Sequence, residues 1–142
     1  MTKETTNLEI SLTFSKLVVD LLRKEDPSIS KYGFPNVLRQ ILKDNTPLEM
    51  VFRQGRTQTL GFTPDAFKVD SENREVTLFE VEDSHKLSIR KLSIIVNLWW
   101  ILDDIGWDLH LIVVDRYATD RKEIDLHEWS FLMDRYSLGL VK

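Results

Sequence analysis

Ile10, Phe14, Leu17, Val18, Leu21 and Leu22 recur three and four residues apart, the spacing that lines one face of an amphipathic helix. Pro27 biases Asp26 away from helical geometry, so this helix is expected to end by about Glu25. Pro35 suits a first helical position. Val37, Leu38, Ile41 and Leu42 then form the inward face of a second, shorter helix that stops before Pro47. After it the period changes. Three segments predict strands: Leu48 to Gln54, Thr57 to Lys68 with a bend or bulge at Gly61 and Pro64, and Glu75 to Asp83. Between the last two, Asp70 to Glu75 reads as a hairpin turn. A long helix is expected from Ser84 or Lys86 to Asp104, closed by Gly106. Leu109 to Val114 is an apolar run of strand length, suited to a buried strand. Beyond Asp120 the pattern reads as a loop and a last helix, Leu126 to Tyr136.

Helices, three antiparallel strands, a long helix and a buried strand predict a single α/β domain over residues 1–142, with a mixed central sheet flanked by helices. The length suits one domain with a real core and is too short for two. No cysteine is present, which excludes disulfides, thiolate metal sites and cysteine nucleophiles. A cysteine-free chain is compatible with a reducing cytoplasm, the expected location. The polar start Met1 to Asn7 has no apolar segment of the kind a secretory signal needs. The longest apolar run, Ile94 to Leu102, is interrupted by Asn97 and falls short of the roughly 18–20 residues that span a bilayer, so no membrane is expected. A net charge of −4 argues against a protein that coats nucleic acid non-specifically, but leaves room for a local basic rim.

The candidate chemistry lies in two acidic segments, Thr63-Pro64-Asp65 and Phe79-Glu80-Val81-Glu82-Asp83. Alternation along a strand points Glu80 and Glu82 the same way, and an antiparallel hairpin can bring Asp65 beside Glu80. Carboxylates gathered in this way repel each other and titrate abnormally unless a cation sits among them. Hard oxygen donors of this kind suit Mg²⁺. The bland readings are a turn at Pro64-Asp65 and a solvated acidic edge at Glu80 and Glu82.

Pro-Asp on the second strand, paired acids on the third, and the order of elements resemble the PD-(D/E)xK nuclease superfamily, the restriction-endonuclease-like fold. The resemblance spans roughly Leu48 to Val114. It implies a metal-dependent nuclease that hydrolyses DNA phosphodiester bonds, with Mg²⁺ or Mn²⁺ held by Asp65 and Glu80 and with Glu82 or the Val81 carbonyl nearby. The family usually places a lysine two residues after the first acid of the third-strand motif, where this chain has Glu82. The resemblance therefore asks for a lysine from elsewhere, with Lys86 favoured over Lys91 and Lys68, so that the implied catalytic set is Asp65, Glu80, Glu82 and Lys86.

Arg53 and Arg56 flank the first expected turn, while Arg90 and Lys91 fall in the first turns of the long helix. Basic residues at a helix start oppose the helix dipole, which makes a phosphate-facing role attractive for Arg90 and Lys91, and Arg53 and Arg56 are the other candidates for contact with nucleic acid, against the bland reading of a solvated surface. His85 is a further acid/base or phosphate-contacting candidate, and His110 reads as a structural hydrogen-bonding residue. The apolar positions from Ile94 to Leu102 point almost all round the helix, which suggests a homodimer unless the segment around Trp129 and Phe131 covers the second face. The alternative to the nuclease is a catalytically inactive protein of the same fold, acting as a protein-interaction or regulatory module. The acid at position 82 and the negative net charge favour that alternative.

Overall fold

The computed structural model describes residues 15–45, 57–82 and 87–136. Helix α1 (residues 15–25) is followed by α2 (Phe34–Asn45) and a single helical turn, α3 (Thr57–Leu60). Strands β1 (Ala66–Asp70) and β2 (Glu75–Val81) form an antiparallel hairpin. The long helix α4 (Ile89–Asp104) then leads to β3 (Asp108–Val114), β4 (Arg121–Ile124) and α5 (Leu126–Tyr136). The four strands make one mixed sheet in the order β1-β2-β3-β4, with β2 and β3 parallel and both outer pairs antiparallel.

The hairpin has the predicted turn. Asp70 pairs with Glu75, and the Asp70 carboxylate accepts hydrogen bonds from the Asn73 backbone N–H at 3.2 Å and its side-chain amide at 2.8 Å. That local bonding lets Arg74 adopt a left-handed φ of 54°. From there the two faces of the sheet diverge. Phe67, Val76, Leu78, Leu111 and Val113 face the main core, built with α2, α4 and α5. Ala66, Phe79 and Val114 face the opposite way and are covered by Val18, Val19 and Leu22 of α1 with Ile29. Both faces are apolar where a helix covers them, which explains the continuous apolar reading of β3.

Several boundaries differ from the sequence expectation. The segment from Thr57 to Lys68 is not one bent strand. Thr57–Leu60 is helical, and only Ala66–Asp70 pairs. Thr59 is buried and Leu60 packs on the core, so this turn satisfies its backbone internally, and Pro64 has no N–H to offer a ladder. The strand expected at Leu48–Gln54 lies outside the described residues. Helix α4 begins at Ile89, later than Ser84 or Lys86, because Ser88 caps it by accepting from the Lys91 backbone N–H at 3.1 Å. It ends at Asp104 as expected, with Gly106 at φ +80°. Strand β4 occupies what reads as loop. Its sequence, Arg121-Lys122-Glu123-Ile124, is charged and mostly exposed, as befits an edge strand that must not pair with other chains. Helix α5 matches its predicted bounds.

Within α4, Leu92, Ile95, Val96, Leu98, Ile101 and Leu102 are buried, while Trp99 and Trp100 are half-buried. Leu126 and Met133 of α5 belong to the same core, and the Trp99 ring meets His127 edge-on at 5.7 Å. The C-terminal helix thus covers apolar surface that suggested a partner chain, although Phe131 itself points outward and is exposed. Among the described residues no helix is long and apolar enough to cross a membrane.

Candidate active site

Ala66 pairs with Phe79 at the end of the β1–β2 ladder, so the next residues outward, Asp65 and Glu80, lie opposite each other. Pro64 has no N–H with which to continue the ladder. The Asp65 side chain extends it instead, its Oδ2 accepting from the Val81 backbone N–H at 2.8 Å. Val81 enters the arrangement through that N–H. Residues 80 and 82 share the sheet face that carries Leu78 and Val76, which is the face beneath α4. Asp65 therefore lies beside Glu80, and Glu82 follows Glu80 on the same strand face.

The lysine comes from the helix. Lys91 Nζ lies 2.9 Å from Glu82 Oε1 and 3.5 Å from Glu80 Oε2. Its backbone N–H is the group that Ser88 caps, so the helix start fixes where its side chain begins. Lys91 therefore turns inward to the carboxylates from the position expected to face a phosphate. Lys68 goes elsewhere, pairing with Asp26 at 3.0 Å. Asp26 also accepts from the Ser28 hydroxyl and backbone, and these bonds with Lys68 hold its carboxyl down at about 2. Arg90 is exposed in the first turn of α4. Lys86, His85, Arg53 and Arg56 lie outside the described residues.

Glu80 is the unusual group. It is 1% exposed, and its Oε1 is buried with no hydrogen-bond partner. A buried carboxylate without full pairing is costly, and a common response is to hold its proton. Burial pushes the Glu80 carboxyl up to about 9, the nearby Asp65 carboxylate adds to the rise, and Lys91 opposes both. For Lys91, burial works to lower the pKa, but Glu80 and Glu82 outweigh it and the result is a rise. Lys91 is thus closer to Glu82 than to Glu80, and burial favours the protonated form of the Glu80 carboxyl.

No protein family, curated protein or solved structure matches this chain. The site stands on its own geometry. Among the described residues no group of three histidine, aspartate or glutamate side chains is close enough to enclose a metal ion. Mg²⁺, however, commonly uses one or two carboxylates and takes its remaining ligands from water and substrate phosphate. Asp65 and the orphaned Glu80 oxygen are hard donors of that number and kind. They suit such an ion provided that Glu80 gives up its proton as the ion binds.

Sequence reasoning ranked Lys86, which lies outside the described residues, above Lys91. Ser88 carries the signal that favours Lys91: a serine cap fixes the helix start and places Lys91 three residues in, above the end of β2. His110 behaves as read, with Nδ1 2.9 Å from Glu123 on the neighbouring strand.

Proposed function

We propose that this chain is a metal-dependent nuclease of the PD-(D/E)xK type that hydrolyses DNA phosphodiester bonds. The observation that carries the reading is the gathering of Asp65, Glu80, Glu82 and Lys91 on one face of the sheet, under the start of α4. The order β1, β2, α4, β3 supports it, since antiparallel strands followed by a helix and a parallel strand are what the superfamily requires in this part of the chain.

Asp65 and Glu80 are the residues that would hold Mg²⁺ or Mn²⁺, with Glu82 and the Val81 carbonyl as neighbours. Such an ion, when bound, polarises phosphoryl oxygen and lowers the pKa of a water. The protein's own part is positioning. The Val81 N–H orients Asp65. The closed surroundings of Glu80 strengthen electrostatic contacts made there. Lys91 supplies a fixed positive charge to phosphate oxygens, the role the superfamily gives to the lysine absent at position 82. Arg90 lies on the same helical turn, ready for a flanking phosphate.

Cleavage assays with Mg²⁺ or Mn²⁺ on single-stranded, duplex and branched DNA test the reading. Activity is expected, and is expected to vanish in Asp65→Ala and Glu80→Ala with the circular dichroism spectrum unchanged. No cleavage of any of these substrates overturns it. Cutting both strands of a duplex calls for two such chains related by two-fold symmetry. The homodimer is therefore proposed together with the duplex substrate. A monomer mass by light scattering, persisting with duplex DNA and metal, removes both and leaves a single-strand or nicking enzyme.

One observation favours the non-catalytic alternative: the Lys91 ammonium already neutralises Glu82 without any metal. On that reading the cluster is a structural ion pair in an interaction module. Calorimetry separates the two. Saturable Mg²⁺ or Mn²⁺ binding that is lost in Asp65→Ala supports the nuclease, and no binding up to about 10 mM supports the module.

A further inference from the structure

Glu80 on β2 pairs with Val113 on β3, and Val113 pairs with Lys122 on β4. The three lie in one row on the sheet face beneath α4. Neighbouring strands are about 4.8 Å apart, so Lys122 is on the order of 10 Å from Glu80. Lys122 is exposed and has no ion-pair partner among the described residues. It stands at the edge of a cleft of about 510 Å³ between α4, β4 and α5. Leu87, Leu92 and Ile124 form apolar walls, the half-buried Trp129 offers an aromatic ring, and three carboxylates line the cleft: Glu128, Glu123, which bonds His110 at 2.9 Å, and Asp125, which accepts from the Glu128 backbone N–H at 3.0 Å. Leu92 adjoins Lys91 in the first turn of α4, so the same turn serves cleft and carboxylates alike.

We propose that this cleft receives an unpaired nucleobase of the DNA strand held at the carboxylate–lysine site. The proposal rests on the nuclease reading for its choice of ligand and adds to it a substrate class, single-stranded or locally unpaired DNA. An apolar slot with one indole ring takes a flat aromatic group, and a base can present its face to that ring only after leaving its stack. Lys122, in the row that leads from Glu80, meets the phosphate of the same nucleotide. Glu128 accepts a hydrogen bond from an exocyclic amine. Cytosine, adenine and guanine carry such an amine and thymine does not, so the cleft favours them over thymine. A peptide with an apolar residue flanked by lysines also matches the walls and the three carboxylates, but it leaves Lys122 facing like charge and makes no use of the row that joins the cleft to Glu80.

Fluorescence anisotropy with labelled (dC)8 and (dT)8 octamers, in EDTA so that no cleavage occurs, tests the proposal on the full chain. The wild type is expected to bind (dC)8 more tightly than (dT)8. Trp129→Leu keeps apolar packing but removes the ring, and is expected to weaken (dC)8 binding about tenfold to a hundredfold. Trp129→Phe is expected to retain most of the affinity, which separates stacking from a folding defect. Lys122→Gln is expected to weaken binding and to lower the slope of log affinity against log salt by about 0.7.

No binding of either octamer, or equal binding by wild type and Trp129→Leu, overturns the proposal. So does tighter binding of an apolar, lysine-flanked peptide by Lys122→Gln than by wild type, together with an unchanged affinity for (dC)8. The two readings fail separately. Trp129-dependent octamer binding without cleavage under any metal keeps the base site and removes the nuclease. Cleavage abolished by Asp65→Ala but indifferent to Trp129→Leu, with unchanged octamer binding, keeps the nuclease and removes the base site.

Discussion

Replacing Glu80 by glutamine should change how stability depends on pH. In the folded protein the Glu80 carboxyl titrates at about 9, against 4.5 for an unperturbed glutamate, because it is 1% exposed and one oxygen lacks a partner. Between those two values the native state keeps a proton that the unfolded chain has released. The unfolded state then binds fewer protons than the native state, so stability falls as pH rises. The contribution is fully present below the unfolded value near 4.5 and is gone once pH passes about 9. Each unit inside that window is worth about 1.4 kcal/mol, so moving from pH 5 to pH 7 removes about 3 kcal/mol. Glutamine keeps the shape, carries no titrating proton, and leaves Lys91 its closer partner Glu82. Urea denaturation followed by tryptophan fluorescence at pH 5, 6, 7 and 8 gives the comparison, since the other ionisable groups largely cancel between the two proteins. The stability of Glu80→Gln minus that of the wild type should rise by about 1.4 kcal/mol per pH unit. A flat difference across that range, or one that falls with pH, refutes the burial argument and with it the view of Glu80 as a carboxyl held protonated.

Three further outcomes follow from the geometry. On the proposed nuclease reading, Lys91→Met should lower cleavage by on the order of a hundredfold or more while the fold persists, read as initial rates with Mg²⁺ and by circular dichroism. Leu78→Ala should cost about 2–5 kcal/mol in urea denaturation, because Leu78 is fully buried on the strand face that carries Glu80. Gly106→Ala should cost about 1–2 kcal/mol by the same measurement, since φ there is +80° and the added methyl meets nothing nearer than the Arg74 guanidinium at 3.7 Å.

Much of the fold was legible because it rests on local rules. The period of three to four residues marked α1 and α2, and the end of α1 near Glu25 needed only Pro27. The hairpin followed from the polar turn between Asp70 and Glu75. Strand β4 was illegible because an exposed charged edge strand and a polar loop have the same composition, and only its pairing with β3 tells them apart. The turn at Thr57–Leu60 was misread for the opposite reason. Short apolar and threonine-rich segments suit either state, and burial beside α4 decides.

The site divides in the same way. Asp65 and Glu80 could be placed opposite each other from the hairpin alone, because pairing fixes register once the turn is known. That Lys91 reaches these carboxylates could not be read in the same way, since its position depends on where a helix begins. Had α4 started at Ser84, the favoured Lys86 would fall in its first turn, whereas Ser88 moves the start and delivers Lys91. A lysine on a strand is locked to that strand's alternation. On a helix end it also depends on the helix packing above the sheet, through Leu92 and Ile95. Charge placement at this site is therefore coupled to core packing. A substitution that shifts α4 should disturb the Lys91–Glu82 pair even though it touches neither residue.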